Sequence, residues 1–255
     1  MGKYFSVTKK ISVAASKQHA SKFGTGQVIA NWQAIQVPKG ACCLRSLTML
    51  VRPKGDATPT RNAFAMDILF SKTNTVALGT VNADADHRPN PDILGMIEID
   101  SGNYGTTSMN SVAVATTSTN GDAESASTPL VLQGDPTSGD NVGFDVIYVG
   151  ILSRNADVDF RSINVINDAD INSTEVTDVV MAGTSMDVRE HFAVGDVLHA
   201  QDDILLGTVK SISDAATGPI TLTSATSGEG DATTVANGDT IYNLHPITLV
   251  LGFER

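Results

Sequence analysis

Apolar and polar residues alternate with a period of two over much of this chain, and clusters of turn residues interrupt the alternation at short intervals. Val28 to Val37, Cys42 to Val51, Phe64 to Phe70, Ile93 to Ile99, Leu130 to Gln133 and Phe144 to Leu152 each read as a strand. Between them lie Pro38-Lys39-Gly40, Pro53-Lys54-Gly55-Asp56, Pro89-Asn90-Pro91-Asp92 and Asp135-Pro136-Thr137-Ser138-Gly139. Proline presets φ and glycine supplies positive φ, so each of these is a turn with a mechanism. The first residues follow the same rule. Phe5, Val7, Ile11 and Val13 fall on one face and Ser6, Thr8, Lys10 and Ser12 on the other, which describes a strand of the folded protein and not a secretory leader. Phe144 to Leu152 is apolar on both faces apart from Asp145, the pattern of a central strand.

The stretch from Tyr104 to Thr128 is rich in Thr, Ser, Asn and Ala with few large apolar residues, and predicts a long exposed loop or a loosely held strand pair. From Asp157 the character changes, since Asp157, Asp159, Asp168, Asp170, Glu175 and Asp178 crowd a short span. Asp187, followed three residues later by Glu190, predicts an N-cap and one helical turn through Phe192. Residues 194–243 then predict short strands at Asp196 to Ala200, Ile204 to Ile212, Ile220 to Ala225 and Asp239 to Tyr242, enough for a small barrel or compact antiparallel sheet. In the closing PITLVLGFER, Ile247, Leu249, Leu251 and Phe253 share one face. The chain is therefore expected to be all-β: an antiparallel sandwich or jelly-roll-like main domain over residues 1–159, a small inserted β-barrel-like unit over 160–245, and a terminal strand, 246–255, returning to the main sandwich.

Composition supports this picture. Of 255 residues only 5% are aromatic and 18% charged, and the balance is made up by Thr, Ser, Ala, Gly, Asn and Asp, the currency of short strands and turns. No apolar run approaches the roughly 18 residues of a membrane-spanning helix, so no membrane partner is expected. The two cysteines are adjacent, Cys42 and Cys43, and neighbouring side chains on a strand point to opposite faces. They read as two buried free thiols made in a reducing cytoplasm, with a redox or metal pair as the alternative.

Charge changes the picture more. The net charge is −11, yet residues 1–55 carry nine basic side chains and no carboxylate, the first acid being Asp56. The remaining 200 residues carry 28 acids against eight bases. Such a partition points to an amino-terminal portion that meets an acidic partner, with Lys3, Lys9, Lys10, Lys17, Lys22 and Lys39 as the candidate contact residues. Nucleic acid is a poor fit, because phosphate would meet repulsion from the rest of the chain and the aromatics Tyr4, Phe5, Phe23 and Trp32 mostly occupy apolar-face positions. A solvated basic edge that blocks aggregation is the plainer alternative.

No reactive group is singled out. Asp84-Ala-Asp86-His87, Asp157-Val-Asp159, Asp168-Ala-Asp170 and Asp202-Asp203 offer oxygen ligands, but none continues into a calcium-loop pattern, and solvated turn carboxylates are the simpler reading; a calcium site at a subunit contact stays open. His19, His87, His191, His199 and His245 have no zinc-binding spacing. G-x-S-x-G, P-loop and G-x-G-x-x-G patterns do not occur, although paired carboxylates for sugar hydrolysis need only meet in space. A non-enzyme without metal or cofactor is expected.

The succession IANWQAIQVPKGACCLRSLTMLVRPKG, NAFAMDILFSKT, ALGTVNADAD and VGDVL…LGTVKSI…ITLTSA…VANGDTIYNLHPITLVLGFER resembles virion structural proteins of tailed phages that infect marine cyanobacteria. The resemblance runs through most of the chain and rests on scaffold residues, with no catalytic residue to carry over. It implies a particle component: a capsid decoration or cement protein, a knob, or a fibre or tail-associated protein. The implied partners are the major capsid protein or other virion proteins and further copies of the chain, with a trimer suited to threefold positions. The implied location is the virion, assembled in the host cytoplasm. The alternative function is a glycan-binding adhesion module of a fibre or tail. Such a module should present exposed aromatic platforms, whereas the single tryptophan, Trp32, sits in an apparent core strand.

Overall fold

Alternation becomes burial most plainly in the final strand, where Ile247, Leu249, Leu251 and Phe253 are all buried and Thr248, Val250 and Gly252 between them are partly exposed. The computed structural model describes residues 2–53, 61–86, 90–105, 112–116, 130–133, 135–136, 144–161, 165–166, 178–179, 181–182, 188–212, 220–223 and 239–255. In chain order it contains β1 (Tyr4–Ile11), a short helix α1 (Ala15–Ala20), β2 (Val28–Pro38), β3 (Cys42–Val51), β4 (Met66–Ser71) and β5 (Ile93–Ile99). These are followed by β6 (Ala113–Thr116), β7 (Leu130–Leu132), β8 (Asp135–Pro136) and β9 (Phe144–Ser153). The remainder comprises β10 (Val165–Ile166), β11 (Asp178–Val179), β12 (Met181–Ala182), α2 (Val188–His191), β13 (Val197–Ala200), β14 (Leu205–Ile212), β15 (Ile220–Thr223), β16 (Ile241–Asn243) and β17 (Ile247–Glu254).

The fold is an all-β sandwich with a five-stranded third sheet beside it, and β10 and β12 form a separate two-stranded antiparallel sheet. One layer runs β1-β17-β3-β6, with β7 also on β3; the other runs β2-β9-β4-β5, with β8 also on β9. All of these pairings are antiparallel. The inner faces meet in a single core that includes Leu47, Met49, Leu249 and Leu251 from the first layer and Ile35, Ile68, Phe70 and Ile147 from the second. β17 lies between β1 and β3, pairing Ile247 with both Ile11 and Val51. The last strand thus sits within the layer that holds the first.

β9 is central, flanked by β2 and β4, and its outer face is covered too. The covering cluster consists of Val28, Leu69 and Leu78 with Trp32, Val81, Ala85 and Leu152 packed around it. Gly150 makes this possible: a Cβ there would fall 2.3 Å from Leu78 and 3.1 Å from the Trp32 ring. Trp32 is thus on a strand, as expected, but its ring lies on the outer face beneath the 72–86 segment, with Nε1 donating to the Val76 carbonyl at 2.7 Å.

The five-stranded third sheet runs β11-β15-β14-β13-β16 and has its own core of Leu198, Leu206, Val209, Ile220, Leu222 and Ile241. It is the compact antiparallel sheet that the sequence offered beside a small barrel; among the described residues its end strands β11 and β16 do not pair with each other. The segment after β1 meets this sheet through α1, which packs against β16. Gln18 Nε2 donates both to the Val13 carbonyl at 2.7 Å and to the Asn243 carbonyl at 2.9 Å.

The described residues of the 104–128 stretch are held more firmly than the expected exposed loop or loose strand pair. Tyr104 is buried with its hydroxyl donating to the Phe64 carbonyl at 2.7 Å, and β6 joins β3 with Ala113 and Ala115 in the core. The remainder of that stretch, 106–111 and 117–128, lies outside the described residues. The expected helical turn is α2; its expected cap Asp187 lies outside the described residues.

Candidate functional site

The six lysines are set by three different elements. Lys3, Lys9 and Lys10 belong to β1 and its lead-in, Lys17 lies on α1, Lys22 follows that helix, and Lys39 tops the β2–β3 turn. Among the described residues β1 is the outermost strand of its layer, with β17 as its one neighbour. Tyr4, Ser6, Thr8 and Lys10 face solvent; Phe5, Val7 and Lys9 are half-buried on the inner side, ahead of buried Ile11. Phe5 stacks on Phe253 with ring centroids 5.1 Å apart. Lys9 therefore shares the apolar face, and loss of solvent around its ammonium lowers its pKa. An inward-pointing lysine on an edge strand also discourages pairing with uncharged strands.

Several basic groups of the first 55 residues meet carboxylates of the later chain. Lys22 pairs with Asp157 at 3.5 Å, Arg52 with Asp196 at 3.0 Å, and Arg45 Nε donates to Glu254 at 2.6 Å. Glu254 also accepts from the Tyr4 hydroxyl at 3.0 Å, and the Arg45 and Tyr4 hydrogen bonds lower its pKa. Lys10 Nζ reaches the Gly195 carbonyl at 3.3 Å. Part of the acidic partner implied by the charge partition is thus the protein itself. Lys3 and Lys10 remain exposed together along one edge, while Lys17 and Lys22 stand apart from them.

Asp157, Asp159 and Asp203 of the aspartate pairs have structural partners. Asp203 accepts the Ser16 backbone N–H at 2.9 Å and its hydroxyl at 2.5 Å, fastening α1 to the third sheet. Asp159 takes the Arg161 guanidinium through Nε and Nη2, each at 3.0 Å. His87, Asp168 and Asp170 lie outside the described residues, and among those described no group of three or more His, Cys, Asp or Glu is placed to hold a metal. Cys42 and Cys43 are free thiols, the first buried and the second half-buried. Burial pushes the Cys42 thiol up to about 11, out of the range of a reactive thiolate.

Two arrangements escape sequence reading. One is the junction between sandwich and third sheet, where Gln18, Arg52, Phe160, Phe192, Tyr242 and Pro246 enclose a cavity of about 30 Å³. That is room for about one water, far below the roughly 300 Å³ of a ligand site. The other is an ion cluster at the edge of the second layer. Arg154 reaches Asp67 at 3.4 Å, Glu98 at 3.1 Å and Asp100 at 2.8 Å.

Asp67 and Glu98 are cross-strand neighbours. Burial, helped by Glu98 and Asp100 and opposed by Arg154, raises the Asp67 pKa from 3.8 to about 6. Between those pH values the folded state binds more protons than the unfolded one, so this group lowers stability as pH rises through the interval. Asp67→Asn is expected to stabilise the protein by about 1 kcal/mol at pH 7, once solvent screening is allowed for, and to flatten its stability between about pH 4 and 6. Urea titrations at pH 4 and pH 7 measure both; an equal shift at the two pH values would contradict the assignment.

No protein-family model matches the chain, and no curated protein sequence matches it.

Proposed function

We propose that this protein is a non-enzymatic virion structural protein that docks on a phage capsid surface as a decoration, cement or knob protein. Its partners in this reading are the major capsid protein or other virion proteins and further copies of itself in a closed cyclic oligomer, with a trimer matching threefold positions. It would be assembled into virions in the host cytoplasm. The observation that carries the proposal is β1: an outermost strand with exposed Lys3 and Lys10 on a chain of net charge −11. Positive charge exposed along an open strand edge of an acidic protein favours approach of that edge to an acidic shell and raises the encounter rate. The all-β sandwich agrees with the sequence resemblance to phage particle proteins.

Reconstruction of the virion tests the reading through density for this chain at regular shell positions. A chain found only on the tail, or absent from the particle, overturns the capsid assignment. Reversing charge with Lys3→Glu and Lys10→Glu together should lower shell occupancy at low salt, with the deficit narrowing as salt rises. Equal occupancy of variant and wild type at both salt concentrations would separate docking from these lysines.

A further inference from the structure

We infer that β1 is a strand acceptor: an extended segment of the acidic docking partner, with apolar residues facing Phe5 and Val7 and carboxylates beside Lys3, Lys9 and Lys10, adds to its open edge. This rests on the docking reading above and gives it a geometry.

The hydrogen-bond register shows which groups the edge offers. Lys3 and Arg255 exchange both backbone bonds, at 2.9 and 3.0 Å. Bonded and non-bonded pairs alternate along an antiparallel ladder, so Phe5, Val7, Lys9 and Ile11 bond to β17, in register with Phe253, Leu251, Leu249 and Ile247. Tyr4, Ser6, Thr8 and Lys10 therefore direct their N–H and C=O groups away from the sheet. Among the described residues nothing meets those backbone groups, and all four residues are exposed.

The next position of the same parity, Ser12, is closed in an informative way. Gln33 accepts the Ser12 N–H through Oε1 at 3.1 Å and donates from Nε2 to the Ser12 carbonyl at 2.7 Å. One side-chain amide there makes the two bonds a neighbouring strand would make. The edge is sealed at Ser12 and open from Tyr4 to Lys10, a length of about 20 Å at strand rise.

Charge decides the occupant. Pairing β1 with β1 of a second copy would gather Lys3, Lys9 and Lys10 of both chains along one seam with no carboxylate from β1 to balance them, and that accumulated like charge opposes pairing. Neutral strands must leave the half-buried Lys9 ammonium without a counter-charge. A segment carrying carboxylates turns the same lysines from guards into attractors, and apolar residues on its inner side extend the cover over Phe5 and Val7. Main-chain bonds then supply the register and alternate side chains the specificity, as in other strand-addition complexes.

The test uses the full chain and an acetylated, amidated eight-residue peptide, matched in length to β1, that alternates valine with threonine and carries glutamate at both ends. At about ten times the peptide's Kd, amide exchange at Tyr4, Ser6, Thr8 and Lys10 should slow about tenfold, while Phe5, Val7 and Lys9, already bonded to β17, keep their rates. The same peptide with lysine for glutamate, or N-methylated along one edge, should give no slowing. Thr8→Pro removes an outward N–H that bonds nothing in the sheet, so it should preserve the melt and abolish peptide protection. If that variant does not fold, the N-methylated peptide makes the same distinction. Unchanged exchange up to the solubility limit, equal protection by the N-methylated peptide, or slowing that depends on protein concentration without peptide would each overturn strand addition. Thr8→Pro that still occupies virions at wild-type levels would overturn it while leaving capsid docking intact.

Discussion

Ending the chain after Pro246 should abolish the folded sandwich. The cut removes β17, which separates β1 from β3 and is the sole sheet neighbour of β1 among the described residues. It also removes Ile247, Leu249, Leu251 and Phe253, none more than 1% exposed. Burial of each such side chain contributes about 1.5–3 kcal/mol, and the four together about 6–12 kcal/mol, as large as the whole net stability of a typical domain at about 5–15 kcal/mol. The truncated chain should collect in the insoluble fraction and, if refolded, show no cooperative thermal transition by circular dichroism. A soluble product with a sharp transition would mean that the two layers hold together without their central strand.

Arg52→Met should be the most damaging single substitution at the junction, by about 3 kcal/mol or more. The Asp196 side chain is 5% exposed, and its two oxygens accept from Arg52 at 3.0 Å and from the Ala193 N–H at 2.8 Å. Without the guanidinium this carboxylate keeps its burial and loses its counter-charge, and that uncompensated charge is the main cost. Adding Asp196→Leu should therefore recover most of the loss in urea titrations. The recovery should stop short of complete because the Ala193 bond also goes. A double variant as unstable as Arg52→Met alone would locate the damage in lost packing of the arginine stem.

The parts of the fold legible in the sequence are those where one residue in two is large and apolar. β2, β3, β5, β9 and β17 fall within a residue or two of their expected spans. β6 escaped because its buried positions are Ala113 and Ala115, whose small side chains fill space between sheets without raising local hydrophobicity. α1 escaped because a six-residue helix whose N-cap, Ala14, makes no side-chain hydrogen bond carries no start signal, and tertiary bonds such as Ser16 to Asp203 hold it. The docking of the third sheet was illegible for a related reason: Gln18 on α1 bonds to Asn243 of β16, 225 residues away in the chain. Among the candidate lysines, sequence revealed the sign and the segment. It could not show that Lys22 and Arg45 already meet Asp157 and Glu254, or that Lys9 shares a face with Phe5. Those are facts about neighbours that alternation does not encode.

The position of β17 also sets a timetable for synthesis. β9, the last strand of the second layer, ends at Ser153, and β17 ends about 100 residues later at Glu254. A ribosome adding about 5–20 residues per second needs roughly 5–20 seconds to cover that distance. Throughout the interval β1 has no sheet neighbour among the described strands and the edge of β3 that β17 will occupy is unpaired, while the strands of the third sheet emerge and assemble around Leu198 and Ile241. The nascent chain therefore spends seconds with its oldest strand unpaired, and chaperone capture during that window, rather than the stability of the finished sandwich, should govern how much protein a cell accumulates.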